Sequence, residues 1–462
     1  MRLLKKLLPA LAAAALLAAT PAPAMAQGLI RDAEIEQILR DYCDPLFEAA
    51  GLKPADVNIY IVQDDSVNAM AAAGQNMFIH TGLIMEADTP EELKGVIGHE
   101  IGHIALGHNV TRQAAYANSG NVSLITMGLG ALALFAGAPD AALALFGSAP
   151  QFGMMSFFKH TRSEEAAADL FGVGLMEKTG QSADGNISFM EKFRYQELMS
   201  ESRRDPYFRV HPTSSDRVST IAKRAKEITA KARPQTPREI EELAMMKAKL
   251  VGFIGPPNRV LSRYPATDQS LPAKYARAIA AYRAVDIKAS LNLTDELIAV
   301  EPDNPYFYEL KGQILFESGR AEESVPEHRK SVELAPQHAL LKVNLARSLI
   351  GTKEMDAINE AEGLLIDALA LEHDNSFAWN QLAIVYAKQG RIGDADLATA
   401  EEAYYRGDMP RAFNFARRAM DKLDLNTPNG QRADDIMALA DPRNRPRGGR
   451  SGFAGVALAP QP

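Results

Sequence analysis

Two periodicities divide the chain. From Gln27 to about Ala232 strand and helix patterns mix, and beyond Lys274 only the helical pattern remains. "VNIYIVQD" (residues 57–64) alternates apolar and polar positions and is β-branched, which predicts a strand. "NAMAAAGQNMFIHTGLI" (68–84) reads as a hairpin around Gly74, with a return strand over 76–81. "TPEELKGVIGHEIGHIALGH" (89–108) carries helix signals. Thr89 is placed as N-cap and Pro90 at the first helical position, with Glu91 and Glu92 facing the positive end of the dipole. In "NVSLITMGLGALALFAGAPDAALALFGSAP" (121–150) Asp140 is the one charge. Pro139 and Asp140 split it into two apolar helices, each too short to span a bilayer alone. The readings that stay open for it are a buried helical hairpin, a hairpin that covers a neighbouring site or dips into a membrane surface, and a transmembrane pair.

The second half repeats itself. Residues 301–336 and 372–408 both open around Asp-Asn, carry aromatics, and reach Gly-Arg at Gly319-Arg320 and Gly390-Arg391. Pro302 and Pro336 lie 34 positions apart, the period of the tetratricopeptide helix-turn-helix. With a stretched middle copy and one further helix pair, about four units share a continuous core. An unrelated helical bundle is the competing reading. The expected architecture is an α+β, mainly helical first domain with a small β-sheet (27–232), a proline-rich linker region around one amphipathic helix (233–268), and an all-α repeat solenoid (269–440). The tail, 441–462, is basic, rich in Pro and Gly, and expected to be disordered.

The opening residues are a targeting signal by pattern. Arg2, Lys5 and Lys6 precede an apolar run from Leu7 to Ala19, and Ala24-Met25-Ala26 offers a small-residue cleavage site. Residues 1–26 are thus expected to be a signal peptide that exports the protein, with a membrane anchor as the alternative. The single cysteine, Cys43, cannot form an internal disulfide, so the fold must rest on its core. A formal net charge of −8 argues against a nucleic-acid partner, which calls for a basic face.

Three of the nine histidines fall within 95–110. His99 and His103, at i and i+4, project from one helix face and suit two corners of a tetrahedral zinc site. Glu100 points to the side, where its carboxylate can take a proton from water made acidic by the metal. Two satisfied core histidines are the bland alternative. Gly98, Gly102 and Gly107 weigh against it, because each costs a helix interior roughly 1 kcal/mol and calls for close packing nearby. A third ligand at the in-line H-x-x-G-x-x-H position is ruled out, since Leu106 and Asn109 stand there and His108 falls one residue short. His108 is expected at the helix C-terminus instead. A later helix offers Glu165, with Asp169 four positions on to orient one of the histidines. Glu164 competes but has Ala168 at the matching position, and a solvated acidic first turn would account for either glutamate.

The set "NAMAAAGQNMFIHTGLI", "HEIGH", "TRSEEAAAD" and "HPTSSDR" resembles the gluzincin metallopeptidases of the HtpX-like, CAAX-protease type. A signal peptide before and repeats after are similar to the arrangement in periplasmic members that serve outer-membrane assembly. The resemblance implies one Zn2+ per chain, His99, His103 and Glu165 as its ligands, and Glu100 as catalytic base and acid. It places His211 near the zinc, where it would stabilise an oxyanion, fill the fourth metal position and hold the enzyme idle, or serve structure alone. Arg217 is expected to pair with a nearby acid. His80 and His160 are read as surface or packing residues. Two departures stand out: Thr161-Arg162 replaces Ser-Arg, and Met70 with Ala72-Ala73-Gly74 replaces an aromatic and Leu-Pro-Gly, which puts the family's side-chain pockets in doubt.

An extended substrate would lie along an exposed strand made of Asn76, Met77, Phe78, Ile79, His80 and Thr81, held by main-chain hydrogen bonds. The expected substrates are unfolded or misassembled envelope proteins. The repeats would recruit them or a partner such as the outer-membrane assembly machinery, and 121–150 would supply a peripheral membrane contact. A repeat-based chaperone or scaffold with a silent, self-inhibited zinc site is the competing function. A purely structural zinc is disfavoured, because Glu100 has no purpose there.

Overall fold

A computed structural model describes residues 28–72, 75–108, 161–200, 203–211, 215–441 and 443. The expected signal peptide, the apolar stretch at 121–150 and the tail apart from Asp441 and Arg443 lie outside the described residues.

Strand β1 (Leu29–Ile30) leads into helix α1 (Ala33–Ala49), whose N-cap Asp32 accepts from the Ile35 N–H. Strands β2 (Asn58–Val62), β3 (Ala69–Ala72) and β4 (Asn76–His80) follow, then the short helix α2 (Thr81–Glu86) and helix α3 (Pro90–Ala105). The sheet runs β1-β2-β4-β3. β3 and β4 form the predicted hairpin, with Met70 opposite Phe78, and β4 also pairs in parallel with β2, Ile61 opposite Ile79. Both edges of β4 are therefore taken and all five of its residues are buried. The sequence reading of 76–81 as an exposed strand is corrected here. An apolar run with little alternation belongs to a central strand, and Thr81 already opens a helix. Among the described residues the open edge nearest the histidines is β3.

Helix α1 buries Leu39, Tyr42, Cys43, Leu46 and Phe47 in one core with Ile61, Met77 and Ile79 of the sheet and Ile97 and Ile101 of α3. Burial raises the Cys43 thiol pKa, so the residue behaves as a small apolar filler. Helices α4 (Arg162–Lys178), α5 (Asp184–Lys192), α6 (Pro206–Val210) and α7 (Ser215–Thr229) close this unit.

The stretch read as a linker is packed on both sides. Its helix α8 (Pro237–Ile254) sends Leu243, Met246 and Leu250 into the first core, and Met245 into a second core with Tyr275, Ile279 and Phe307 of the repeats. Lys249 of α8 is buried beside Asp32 (2.9 Å) and Glu34 (3.1 Å), while the Tyr275 hydroxyl donates to Glu34 at 2.8 Å. Arg31 donates to Glu36 and, across the sequence, to both oxygens of Glu372 at 2.8 and 2.9 Å.

A short helix α9 (Pro257–Arg263) precedes five helix pairs: α10 (Leu271–Arg283) with α11 (Ile287–Val300), α12 (Pro305–Glu317) with α13 (Ala321–Leu334), α14 (Ala339–Thr352) with α15 (Met355–Leu371), α16 (Ser376–Lys388) with α17 (Ile392–Tyr405), and α18 (Met409–Met420) with α19 (Pro428–Ala440). That is one pair more than the repeat pattern suggested, because the first lacks the Asp-Asn and Gly-Arg marks. The extra length of the middle copy lies in the 17 residues of α15. Inside each of the first four pairs the chain turns through a left-handed residue, Val285, Gly319, Lys353 or Gly390, with φ between +64° and +78°, and Gly407 at φ +75° joins the fourth pair to the fifth. No helix among the described residues is long and apolar enough to cross a membrane.

Two expectations follow from these contacts. Val285 is β-branched at φ +64°, a conformation that costs an L-residue roughly 1–2 kcal/mol. Val285→Gly should therefore raise stability by about 1 kcal/mol in denaturant titration, unlike the same change at a right-handed loop position. Burial pushes the Glu309 carboxyl up to about 7 against the pull of Lys249, 3.7 Å away. The folded chain then holds a proton that the unfolded chain releases nearer pH 4.5. The stability this lends is complete at low pH and lost as pH rises through 7. The thermal midpoint should fall between about pH 5 and 8, and Glu309→Gln should remove that part of the fall.

Candidate metal centre

The candidate site forms where α3 and α4 cross. Thr89 caps α3, its side chain accepting from the Glu92 N–H, with Pro90 in the first turn. Thr161 caps α4 in a reciprocal box: its backbone N–H donates to Glu164 at 2.8 Å. Glu164 is thereby committed to the cap, and Glu165 is the one that turns inward, fully buried. Threonine does here what serine would do.

Glycines let the two helices touch. A Cβ at Gly102 would meet the Ala168 backbone at 3.0 Å, one at Gly172 would meet the backbone of Gly98 and His99 at 3.0 Å, and one at Gly98 would meet Met176 at 2.9 Å. Gly107 serves differently. It lies past the helix at φ +69°, where a left-handed residue ends the turn.

This crossing gathers His99, His103, Glu165 and His211, whose ligand atoms all lie within 4.8 Å of one another. All four are buried. The His99 and His103 Nε2 atoms are 3.1 Å apart, His103 Nε2 is 3.4 Å from Glu165 Oε1, and His99 Nε2 is 3.6 Å from Glu165 Oε2. Tetrahedral bonds of ~2.0–2.1 Å place ligand atoms about 3.3–3.4 Å apart. The three observed edges bracket that spacing, so the donor set fits a zinc ion.

The surrounding groups prepare each donor. Asp169 Oδ1 lies 2.8 Å from His99 Nδ1. A carboxylate there calls for the proton on Nδ1, which leaves the Nε2 lone pair facing the cluster. Arg217 binds Asp169 through Nε and Nη2, both at 2.8 Å, and Glu165 Oε2 through Nη1 at 2.8 Å. Burial opposes ionisation of Asp169, but the Arg217 and His99 hydrogen bonds outweigh it and its pKa ends low. Glu165 is held well below the usual carboxylate range in the same way, by His211 and His103 against burial. Burial drives the His103 pKa well down, which keeps this imidazole neutral. Burial pulls His99 the same way, yet the Asp169 hydrogen bond and the charges of Glu165 and Asp169 raise its pKa, favouring a ring proton that a metal ion would displace. Neutral imidazole and ionised carboxylate are the forms that bind zinc.

Glu100 stands beside the cluster. Its Oε2 accepts from the Ala71 N–H on β3 at 3.0 Å, its Oε1 is 3.4 Å from His211 Nε2, and burial raises its pKa. His211 follows α6, with its Nδ1 2.9 Å from Glu165 Oε1 and its ring tilted over Tyr207 at 4.7 Å. His108 does lie past the α3 C-terminus, but its Nδ1 is 2.9 Å from His103 Nδ1, a partner the sequence did not suggest. His80 is buried 3.1 Å from Ser66 Oγ, which agrees with the packing alternative of its two readings. Sequence reasoning missed the Arg217 bridge to two acids at once, Tyr207, and the Ala71 N–H. Its one usable signal was the Arg six residues after His211.

Residues 30–225 match the family model described as Peptidase family M48. The protein named "Beta-barrel assembly-enhancing protease" of Yersinia pestis is 24% identical over 424 residues, covering 88% of this chain and 83% of that one. The protein of the same name in Escherichia coli (strain K12) is 24% identical over 418 residues with the same coverage. "Metalloprotease YcaL" of Escherichia coli (strain K12) is 30% identical over 181 residues, 37% of this chain and 62% of that protein. The region 30–225 is an M48 peptidase domain, and the protein is a zinc metalloendopeptidase.

The crossing itself is testable. Gly172→Val inserts side-chain atoms where a Cβ already meets backbone at 3.0 Å. It should destabilise by roughly 1–3 kcal/mol and lower zinc retained on dialysis against a chelator. Gly174→Val, where nothing lies within 4 Å, should do neither beyond a small helix-propensity effect.

Proposed function

We propose that this M48 zinc metalloendopeptidase holds its ion with His99, His103 and Glu165 and uses Glu100 as general base and acid on extended segments of misfolded or misassembled envelope proteins. The observation that carries the reading is the near-tetrahedral spacing of three buried donors with the Glu100 carboxylate beside them. A bound zinc supplies a Lewis acid that polarises a carbonyl and makes water a usable nucleophile. The chain's own residues then divide the work. Asp169, held by Arg217, fixes the His99 ring and its tautomer. Glu100 takes the proton from the attacking water and delivers it to the departing amine. Its buried, raised pKa brings it nearer a base that works at neutral pH.

The substrate strand is reassigned to β3. Ala69 and Ala71 face the open edge, and the Ala71 N–H now bonded to Glu100 is a donor for an incoming peptide. His211 lies between Glu100 and Glu165, 3.3 Å from His99 Nε2. That position favours a second, resting state in which its ring stands where substrate would enter, and turnover requires it to withdraw. A silent site of this kind would leave the repeats free to act as a scaffold.

The relatives' names, with the export signal read from residues 1–26, support a periplasmic role in outer-membrane protein quality control. The repeats would recruit substrate or partner, and residues 121–150 remain the candidate for membrane contact.

Glu100→Gln should cut hydrolysis of an unfolded casein substrate by roughly a hundredfold or more while keeping one zinc per chain. Glu165→Gln should lose the metal as well as the activity. Full metal content in Glu165→Gln, or turnover surviving in Glu100→Gln, would refute these assignments.

A further inference from the structure

The two histidines of α3 are held differently on the side away from the cluster. His99 meets Asp169 there, Nδ1 to Oδ1 at 2.8 Å. His103 meets another imidazole. Its Nδ1 lies 2.9 Å from Nδ1 of His108, with the ring centroids 5.0 Å apart and the planes inclined at 67°. His108 is half-buried and stands outside the four-residue donor cluster. Two ring nitrogens this close hold one proton between them, since two lone pairs or two N–H groups would repel. A neutral imidazole carries a single proton. With the His103 Nε2 lone pair facing the cluster, 3.4 Å from Glu165 Oε1, that proton is on His103 Nδ1. His108 Nδ1 is then the acceptor, and the proton of His108 sits on its own Nε2.

Backbone shape brings the second ring into reach. On a continuing α-helix a residue five positions on points about 140° away around the axis. Helix α3 instead ends at Ala105, and Gly107 follows at φ +69°, its N–H donating to the Ile104 carbonyl at 3.0 Å. That left-handed step turns the chain back over the last turn and returns His108 to His103. A Cβ at Gly107 would meet nothing within 4 Å among the described residues, so conformation and not space calls for glycine. Charge accounts for the choice of an imidazole. Glu100, Glu165 and Asp169 are already buried together, with Arg217 touching two of them. A neutral acceptor orients His103 without adding a fourth carboxylate to that group.

We propose that His108 is a positioning residue for the zinc centre: its Nδ1 accepts the Nδ1–H of His103 and fixes the tautomer and ring orientation that His103 offers the ion. The inference rests on the assignment of His103 as a ligand and adds a residue to it, giving His103 the kind of support that Asp169 gives His99.

The experiment is competition for zinc between the purified full chain and a chromophoric chelator, with thermal unfolding of the metal-free chain followed in parallel. His108→Phe keeps a ring of similar outline without an acceptor. His108→Asn carries Oδ1 about where the imidazole carries Nδ1. His108→Phe should bind zinc roughly tenfold or more weakly, His108→Asn should recover most of that loss, and both should unfold at the wild-type midpoint when metal-free. At saturating zinc, kcat on casein should fall for His108→Phe with KM unchanged. Gly107→Ala, which keeps the imidazole and strains the turn, should also weaken zinc binding. Wild-type zinc affinity in His108→Phe would overturn the proposal. So would equal losses in His108→Phe and His108→Asn with a matching drop in the metal-free midpoint, which would make His108 a packing residue. His103→Ala separates this inference from the reading beneath it. If it releases zinc while His108→Phe holds zinc as tightly as wild type, only the role of His108 is lost. If it keeps its zinc, the ligand assignment fails and the inference fails with it.

Discussion

At the crossing of α3 and α4, Gly102 lies against the Ala168 backbone, and Gly98 against the Gly172 backbone and the end of the Met176 side chain. That approach governs the rest. His99 and His103 share a face of one helix by their i, i+4 spacing, yet two imidazoles alone do not make a buried metal site. Glu165 meets them at 3.4 and 3.6 Å only because the opposing helix is this near. A wider crossing would separate the carboxylate from the nitrogens and leave three buried polar groups without a common partner. The glycines lower intrinsic helix stability, and the surrounding core of Ile97, Ile101, Val173 and Met176 offsets that cost.

Charge balance at the crossing explains the second layer. Glu100, Glu165 and Asp169 bring three buried carboxylates together, and among the described residues Arg217 is the fixed cation that touches two of them. Buried charges endure only when paired and hydrogen-bonded. Arg217 meets that need for Asp169 and one oxygen of Glu165, which leaves the other side of Glu165 and the two Nε2 atoms for a metal. On the proposed assignment the divalent ion and Arg217 together compensate the acids, and Asp169 keeps the tautomer that aims the His99 lone pair inward. His211 and Tyr207 close the remaining side by stacking.

Much of this was legible before any coordinates, and the parts that were not share a cause. The cap at Thr89, the pairing of Asp169 with a histidine and the need for close packing at Gly98 and Gly102 are local signals, and local signals survive in a sequence. Choosing Glu165 over Glu164 was also legible from the acid four positions on, though the structure adds the reason that Glu164 is spent on the cap. The misread strand shows the limit. Residues 76–80 look like a strand under either reading, but whether a strand is central or at an edge depends on which neighbours pair with it, and the parallel pairing with 58–62 is a tertiary fact. The linker reading failed for the same reason. Proline at both ends suggested a spacer, whereas Lys249 is buried beside Asp32 and Glu34 near the start of the chain and Met245 against Tyr275 and Phe307 of the repeats. The first helix pair of the repeats stayed hidden because Val285 occupies the turn position where glycine marks two of the later pairs.

The most direct test of the central claim is zinc K-edge X-ray absorption on the purified, metal-loaded chain. The account predicts a four-coordinate first shell of nitrogen and oxygen at roughly 2.0–2.1 Å, with the outer-shell scattering of at least two imidazoles and no sulfur. An all-oxygen, six-coordinate shell or a spectrum without imidazole scattering would contradict it, because the metal would then sit somewhere other than between His99, His103 and Glu165.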